Sequence, residues 1–161
     1  MPGQPQAVSA ATPHQLTRVL SQREDRTRPK LVIPVVLSQA LEDQVVGTVF
    51  KPFKTMALVD TGAAISCVCE KLCAEIGADA WDQVNAFGIG GSRKSYYHFV
   101  DLELQDNDHV SFADFKSLKV IDFEAHAGDD IRVLIGMDVL GKFSEIRIQG
   151  FVLEFGALLR S

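Results

Sequence analysis

The sequence predicts a mainly β domain, small and closed or sandwiched, with one or two short helices. Three observations predict it. From Lys30 onward, short runs rich in Val, Ile, Leu and Phe alternate with turn residues. The stretch FVDLELQ has period two, with Val100, Leu102 and Leu104 facing one way and Asp101, Glu103 and Gln105 the other. Beyond Lys30 only two stretches carry helical spacing, and both are short.

Taken in order, residues 1–29 are rich in Pro, Gln, Ser, Thr and Ala and lack sustained periodicity. They are expected to be a disordered basic tail with a short helix near 14–24. Residues 30–161 are expected to form one domain. Its strands are expected at 31–37, 45–50, 54–59, 84–88, 94–105, 110–121, 131–135, 145–149 and 151–155. Gln149-Gly150 reads as a tight connection between the last two. CEKLCAEIG places Leu72, Cys73 and Ile76 on one helical face and stops on Gly77. MDVLGKF supplies one more turn or two.

Composition narrows the function. Apolar residues are 47% and charged residues 23% of the 161, the proportions of a globular protein. No apolar run approaches the ~20 residues of a membrane helix. The N-terminus lacks a basic start followed by an apolar block, and three cysteines are an odd number. Together these lead to the expectation of reduced thiols and a cytoplasmic location. Residues 1–30 carry five basic and two acidic residues, a local charge of +3; the remainder carries eleven and nineteen, or −8. A body that acidic is a poor match for phosphate, so no nucleic-acid partner is expected.

The chemistry-bearing stretch is ALVDTGAAISCV, residues 57–68. An apolar strand delivers Asp60 to a sharp turn at Thr61 and Gly62, then returns inward. Asp60 is either a turn former or a carboxylate with a task, since a buried lone carboxylate is costly. Gly136, 76 residues after Asp60, closes the apolar pair Leu134-Ile135 and opens the second helical stretch. NAFGIGGSRKSYYHFVDLEL reads as a hairpin with a glycine-rich tip at Gly88, Gly90 and Gly91. A P-loop reading fails because Arg93 stands where that motif needs Gly, and Arg93 likewise fills the last glycine position of a dinucleotide-binding G-x-G-x-x-G.

Asp60-Thr61-Gly62-Ala63, followed by Leu134-Ile135-Gly136 and a short helix, resembles the retropepsin-like aspartic proteases. The resemblance spans residues 30–156 and implies a small closed, barrel-like acid-protease domain. It implies that Asp60, Thr61 and Gly62 form the catalytic turn. It implies substrate contacts from Ala63 and from Ile89, Gly90 and Gly91 in a flap over the cleft. The chain holds one D-T-G, whereas the chemistry uses two carboxylates and one water. The resemblance therefore implies a homodimer with one Asp60 from each chain, acting as an endopeptidase on a peptide or protein substrate with no metal or cofactor. The alternative is a catalytically silent domain of the same fold that dimerises or binds peptides.

Other residues receive structural readings. Asp138 is expected to cap a helix or hold a fixed hydrogen bond. Cys67, Cys69 and Cys73 are expected to pack, since a zinc site needs a fourth ligand and the nearest histidine is His98. His14, His98, His109 and His126 show no ligand spacing, and no G-x-S-x-G elbow accompanies the serines. Trp81 and Phe87 either line the flap or pack, and packing is the preferred reading.

Overall fold

The computed structural model describes residues 16–21, 30–88, 91–125 and 130–159. Six strands close on themselves: β2 (Val32–Gln39), β3 (Phe53–Val59), β8 (Val133–Ile135), β4 (Cys67–Cys69), β7 (Ser111–Phe123) and β6 (Gly91–Gln105), with β6 returning to β2. β5 (Gln83–Gly88) extends β6 as a hairpin beyond the barrel wall. A second sheet has the order β1 (Thr17–Leu20), β10 (Val152–Phe155), β9 (Ile146–Gln149). The helices are α1 (Glu70–Glu75) and α2 (Met137–Leu140). Among the described residues no helix is long and apolar enough to cross a membrane.

The barrel follows from the pattern of the strands. β2 is flanked by β3 and β6, and its first six residues are buried. Pro34 is tolerated inside it because pairing to β6 begins only at Val35, leaving β3 as the sole neighbour there. On β6 the alternation holds: Val100, Leu102 and Leu104 are fully or almost fully buried, and they meet Ile33, Leu37 and Val133 in one core. Phe143 and Phe155 pack with ring centroids 5.0 Å apart, joining the small sheet to that core. β9 and β10 turn on Gly150, whose φ of +59° suits the first central position of a two-residue hairpin loop.

Three local expectations change. Thr17–Leu20, inside the segment expected to be disordered and helical, is a strand because β10 offers it a partner and buries Val19. The strand expected at 45–50 is an open loop after a 3₁₀ turn at Leu41–Asp43; Val46 and Val49 stand in solvent, so no neighbouring strand holds them. β4, which was not expected, arises because Cys67–Cys69 pairs with β8 on one side and β7 on the other. The rest of the 1–29 tail lies outside the described residues.

Candidate active site

Asp60 leaves the end of β3 where β3 runs parallel to β8, Val59 beside Ile135. Its backbone N–H donates to the Ile135 carbonyl at 2.9 Å. The turn closes through Ala63 N–H to the Asp60 carbonyl at 3.3 Å. One carboxylate oxygen accepts the Gly62 N–H at 2.9 Å. A Cβ on residue 62 would lie 3.3 Å from that oxygen, so glycine gives the amide its approach. Asp60 is half-buried, while Thr61 and Gly62 are exposed.

β8 lies between the two strands that the turn connects: parallel to β3, antiparallel to β4. The turn is thus fixed from both sides. Gly136 then passes so close that a Cβ there would sit 2.7 Å from the Ala63 carbonyl oxygen and 2.9 Å from the Ile65 carbonyl carbon. Beyond it, Met137 N–H donates to Ala63 O at 2.7 Å and Asp138 N–H to Ala64 O at 3.2 Å. Asp138 accepts from the Ser66 hydroxyl and N–H at 2.7 and 3.0 Å, as its structural reading expected. Ser66 Oγ in turn accepts the Gly136 N–H at 3.0 Å. Ser66 gave no signal in sequence; its task appears only when β8 is placed beside it.

A cleft of about 800 Å³ opens between this turn and the β5–β6 hairpin. Gly62, Ala63 and Ile65 form one wall, Val84 and Phe87 the hairpin side, and Ile121–Phe123 the floor. Asp60 itself is not among the residues that line the cleft; it lies two positions before Gly62, which does. The hairpin pairs Gly88 with Gly91, leaving a two-residue tip, and Gly91 has φ +101°, a conformation suited to glycine. Of the expected substrate-contact residues, Ala63 and the flap's Gly91 line the cleft; Ile89 and Gly90 lie outside the described residues. Phe87 is not packed among the described residues: it is 83% exposed on the hairpin, and no described residue covers it. Trp81 does pack, edge-on to Phe99 with centroids 5.7 Å apart, and its indole N–H donates to Asp43.

The cleft floor hides a pair that spacing did not reveal. Asp122 accepts the Tyr96 N–H at 3.1 Å and meets His98 Nε2 at 2.8 Å, while His98 Nδ1 lies 3.0 Å from the Ala78 carbonyl. Both ring nitrogens face oxygen acceptors. Residues 24 apart on two long strands carry no local motif. Cys67 also lines the cleft, and its thiol is pushed up to about 11 by burial first, then by the charges of Asp138, Asp60 and Asp122. Cys69 and Cys73 are buried in the core, as expected of packing thiols.

A closed barrel whose Asp-Thr-Gly turn is wedged against a strand ending in Leu-Ile-Gly, under a hairpin, has the retropepsin-like architecture. The structure is similar to the crystal structure of a retropepsin-like aspartic protease from Rickettsia conorii, with a TM-score of 0.56 and 18% identity over 88% of this chain and 89% of that one. The likeness is one of fold. No family model matches the chain, and no curated protein does.

Proposed function

We propose that the protein is an aspartic endopeptidase that works as a homodimer. The observation that supports it most is the setting of Asp60: a half-buried carboxylate on a turn fixed by β8, beside a mostly apolar cleft roofed by a glycine-rich hairpin. In this reading the two-fold axis brings two Asp60 carboxylates close enough to share one proton, because like charges at that distance do not both ionise readily. The ionised member takes a proton from water as the hydroxide oxygen bonds to the scissile carbonyl carbon. The protonated member donates a hydrogen bond to the carbonyl oxygen. The C–N bond breaks as the amine nitrogen receives a proton. The exposed Thr61 hydroxyl pairs with the partner's Thr61 and keeps the turns in register. An extended peptide lies under the hairpin and adds backbone hydrogen bonds in the manner of an extra strand. Ile89, Gly90 and Gly91 contact its backbone from the hairpin tip, and Ala63 contacts it from the wall.

The test is incubation of the purified protein with denatured proteins and a peptide library from acid to neutral pH, beside Asp60→Asn. Cleavage by the native protein that disappears in the variant supports the enzyme. Equal inertness at every pH, with peptide binding retained, would establish the silent peptide-binding alternative.

A further inference from the structure

We propose that the cleft selects peptides carrying a neutral hydrogen-bonding side chain, a hydroxyl or a carboxamide, and that the Ser95 hydroxyl reads it. The proposal rests on the peptidase reading above and names the substrate class that the same cleft prefers.

Strand alternation puts Arg93, Ser95 and Tyr97 on one face of β6, and all three line the cleft. Val84 stands directly across from Ser95 on β5, and Ile121 across from Tyr97 on β7. Both line the cleft as well, so Ser95 is set among apolar neighbours. It is 1% exposed and belongs to the buried part of the lining. Among the described residues, its hydroxyl is the only buried side-chain nitrogen or oxygen without a hydrogen-bond partner. A buried hydroxyl left unpaired is costly, and that cost is recovered when a ligand brings a partner.

Other polar groups of the lining are already engaged or wet. Arg93 pairs with Glu70 at 3.3 Å. Asp122 holds the Tyr96 N–H and His98. The Cys67 thiol faces the Ile65 carbonyl at 3.5 Å. Asn85 and Ser92 are exposed, where water satisfies them. Ser95 is the buried group that a ligand can satisfy.

Chemistry then narrows the ligand. A serine hydroxyl both donates and accepts, and so do a second hydroxyl and a carboxamide. A carboxylate would meet the charges of Asp60 and Asp122, which already act on Cys67 in the same cleft. An ammonium would leave water for apolar walls with one hydroxyl as compensation. An apolar side chain would leave the Ser95 hydroxyl unpaired.

The experiment gives native protein and Ser95→Ala pairs of peptides that differ at one position, moved in turn along the peptide. One pair sets threonine against valine, which have the same shape, and a second sets glutamine against methionine. The readout is the ratio of kcat/KM within each pair. At one position the native protein is expected to prefer the polar member of a pair by about tenfold, and Ser95→Ala is expected to lose that preference. The two pairs distinguish a hydroxyl from a carboxamide as the favoured group. Ser95→Ala is also expected to melt no lower than native protein, because it deletes an unpaired group. A clear drop in melting point would show that the hydroxyl holds the fold instead, and overturns the proposal. Equal ratios in the two proteins overturn it too, while cleavage itself leaves the peptidase reading standing. If the native protein binds these peptides without cleaving them, the peptidase reading falls, and the same ratio taken from dissociation constants by fluorescence anisotropy decides the subsite. A native protein that neither cleaves nor binds any of them overturns both.

Discussion

The Ser66 hydroxyl and the Asp138 carboxylate, 72 residues apart in sequence, meet at 2.7 Å and clasp the exit of the Asp60 turn to α2. The same carboxylate takes the Ser66 N–H, and the same hydroxyl takes the Gly136 N–H. Asp60 therefore sits on a turn whose two far ends are fixed to each other. Asp138→Ala leaves the Ser66 donors without their acceptor, at a cost of about 1–3 kcal/mol. The expected result is a melting point several degrees lower, with Asp138→Asn losing less because its amide oxygen still accepts. An unchanged melting point for Asp138→Ala would show that the clasp carries no stability.

Gly136 tests how tightly the turn is held. Its missing Cβ is the space that the Ala63 carbonyl occupies, and that neighbour is backbone rather than a yielding side-chain tip. Gly136→Ala is expected to cost about 1–3 kcal/mol, the usual range for an overpacked site. Because the displaced atoms belong to the Asp60 turn, peptidase activity is expected to fall by more than the loss of folded protein explains. Urea unfolding and activity per folded molecule separate the two effects.

The buried His98–Asp122 pair predicts a non-additive pattern. Removing either member leaves the other buried without its main partner, which typically costs about 3–5 kcal/mol. Replacing both by apolar residues leaves neither side chain unpaired, and only the Tyr96 N–H and the Ala78 carbonyl lose a partner. His98→Leu with Asp122→Leu is therefore expected to be more stable than Asp122→Leu alone, measured as a double-mutant cycle in urea. Simple additivity of the two single losses would show that the residues do not act as a unit.

Cys67 is expected to be slow toward alkylating reagents despite lining the cleft. Burial, with Asp138, Asp60 and Asp122 nearby, pushes its thiol up to about 11. At pH 8 its thiolate fraction is then about two orders of magnitude below that of a free thiol. Iodoacetamide labelling followed by peptide mass spectrometry reads this directly. Rapid modification of Cys67 at pH 8 would contradict the environment described for it.

The strands that line the barrel were legible because one face of each is buried, which writes period two into residues such as Val100, Leu102 and Leu104. The Asp60 turn and its partner strand were legible because Gly62 and Gly136 are required by close backbone approach. Pairing that depends on distant segments left no local trace. β1 is a strand because β10 is beside it, and the Val-rich stretch at 45–50 is none because no described strand pairs with it. His98, Asp122 and Ser66 acquire their tasks only through partners 24 to 72 residues away.

Asp43 gives the fold a pH dependence of predictable sign. Its carboxyl is raised above the ordinary value by burial, opposed by the Asp79 N–H, reinforced by the Asp79 charge, then opposed by the Trp81 indole and reinforced by Glu42. The folded state thus binds this proton more readily than the unfolded chain does. Stability from this group is fully present below the ordinary carboxyl value and is lost as pH rises through the raised folded value. Asp43→Asn removes the titration while keeping one acceptor for the Asp79 N–H or the Trp81 indole, which Asp43 holds at 3.3 Å each. The native protein's advantage over Asp43→Asn is therefore expected to shrink as pH rises from below the ordinary carboxyl value through the raised one. Urea midpoints for both proteins across that range provide the measurement. An advantage that grows with pH would mean that the hydrogen bonds from Asp79 and Trp81 outweigh the burial of the charge.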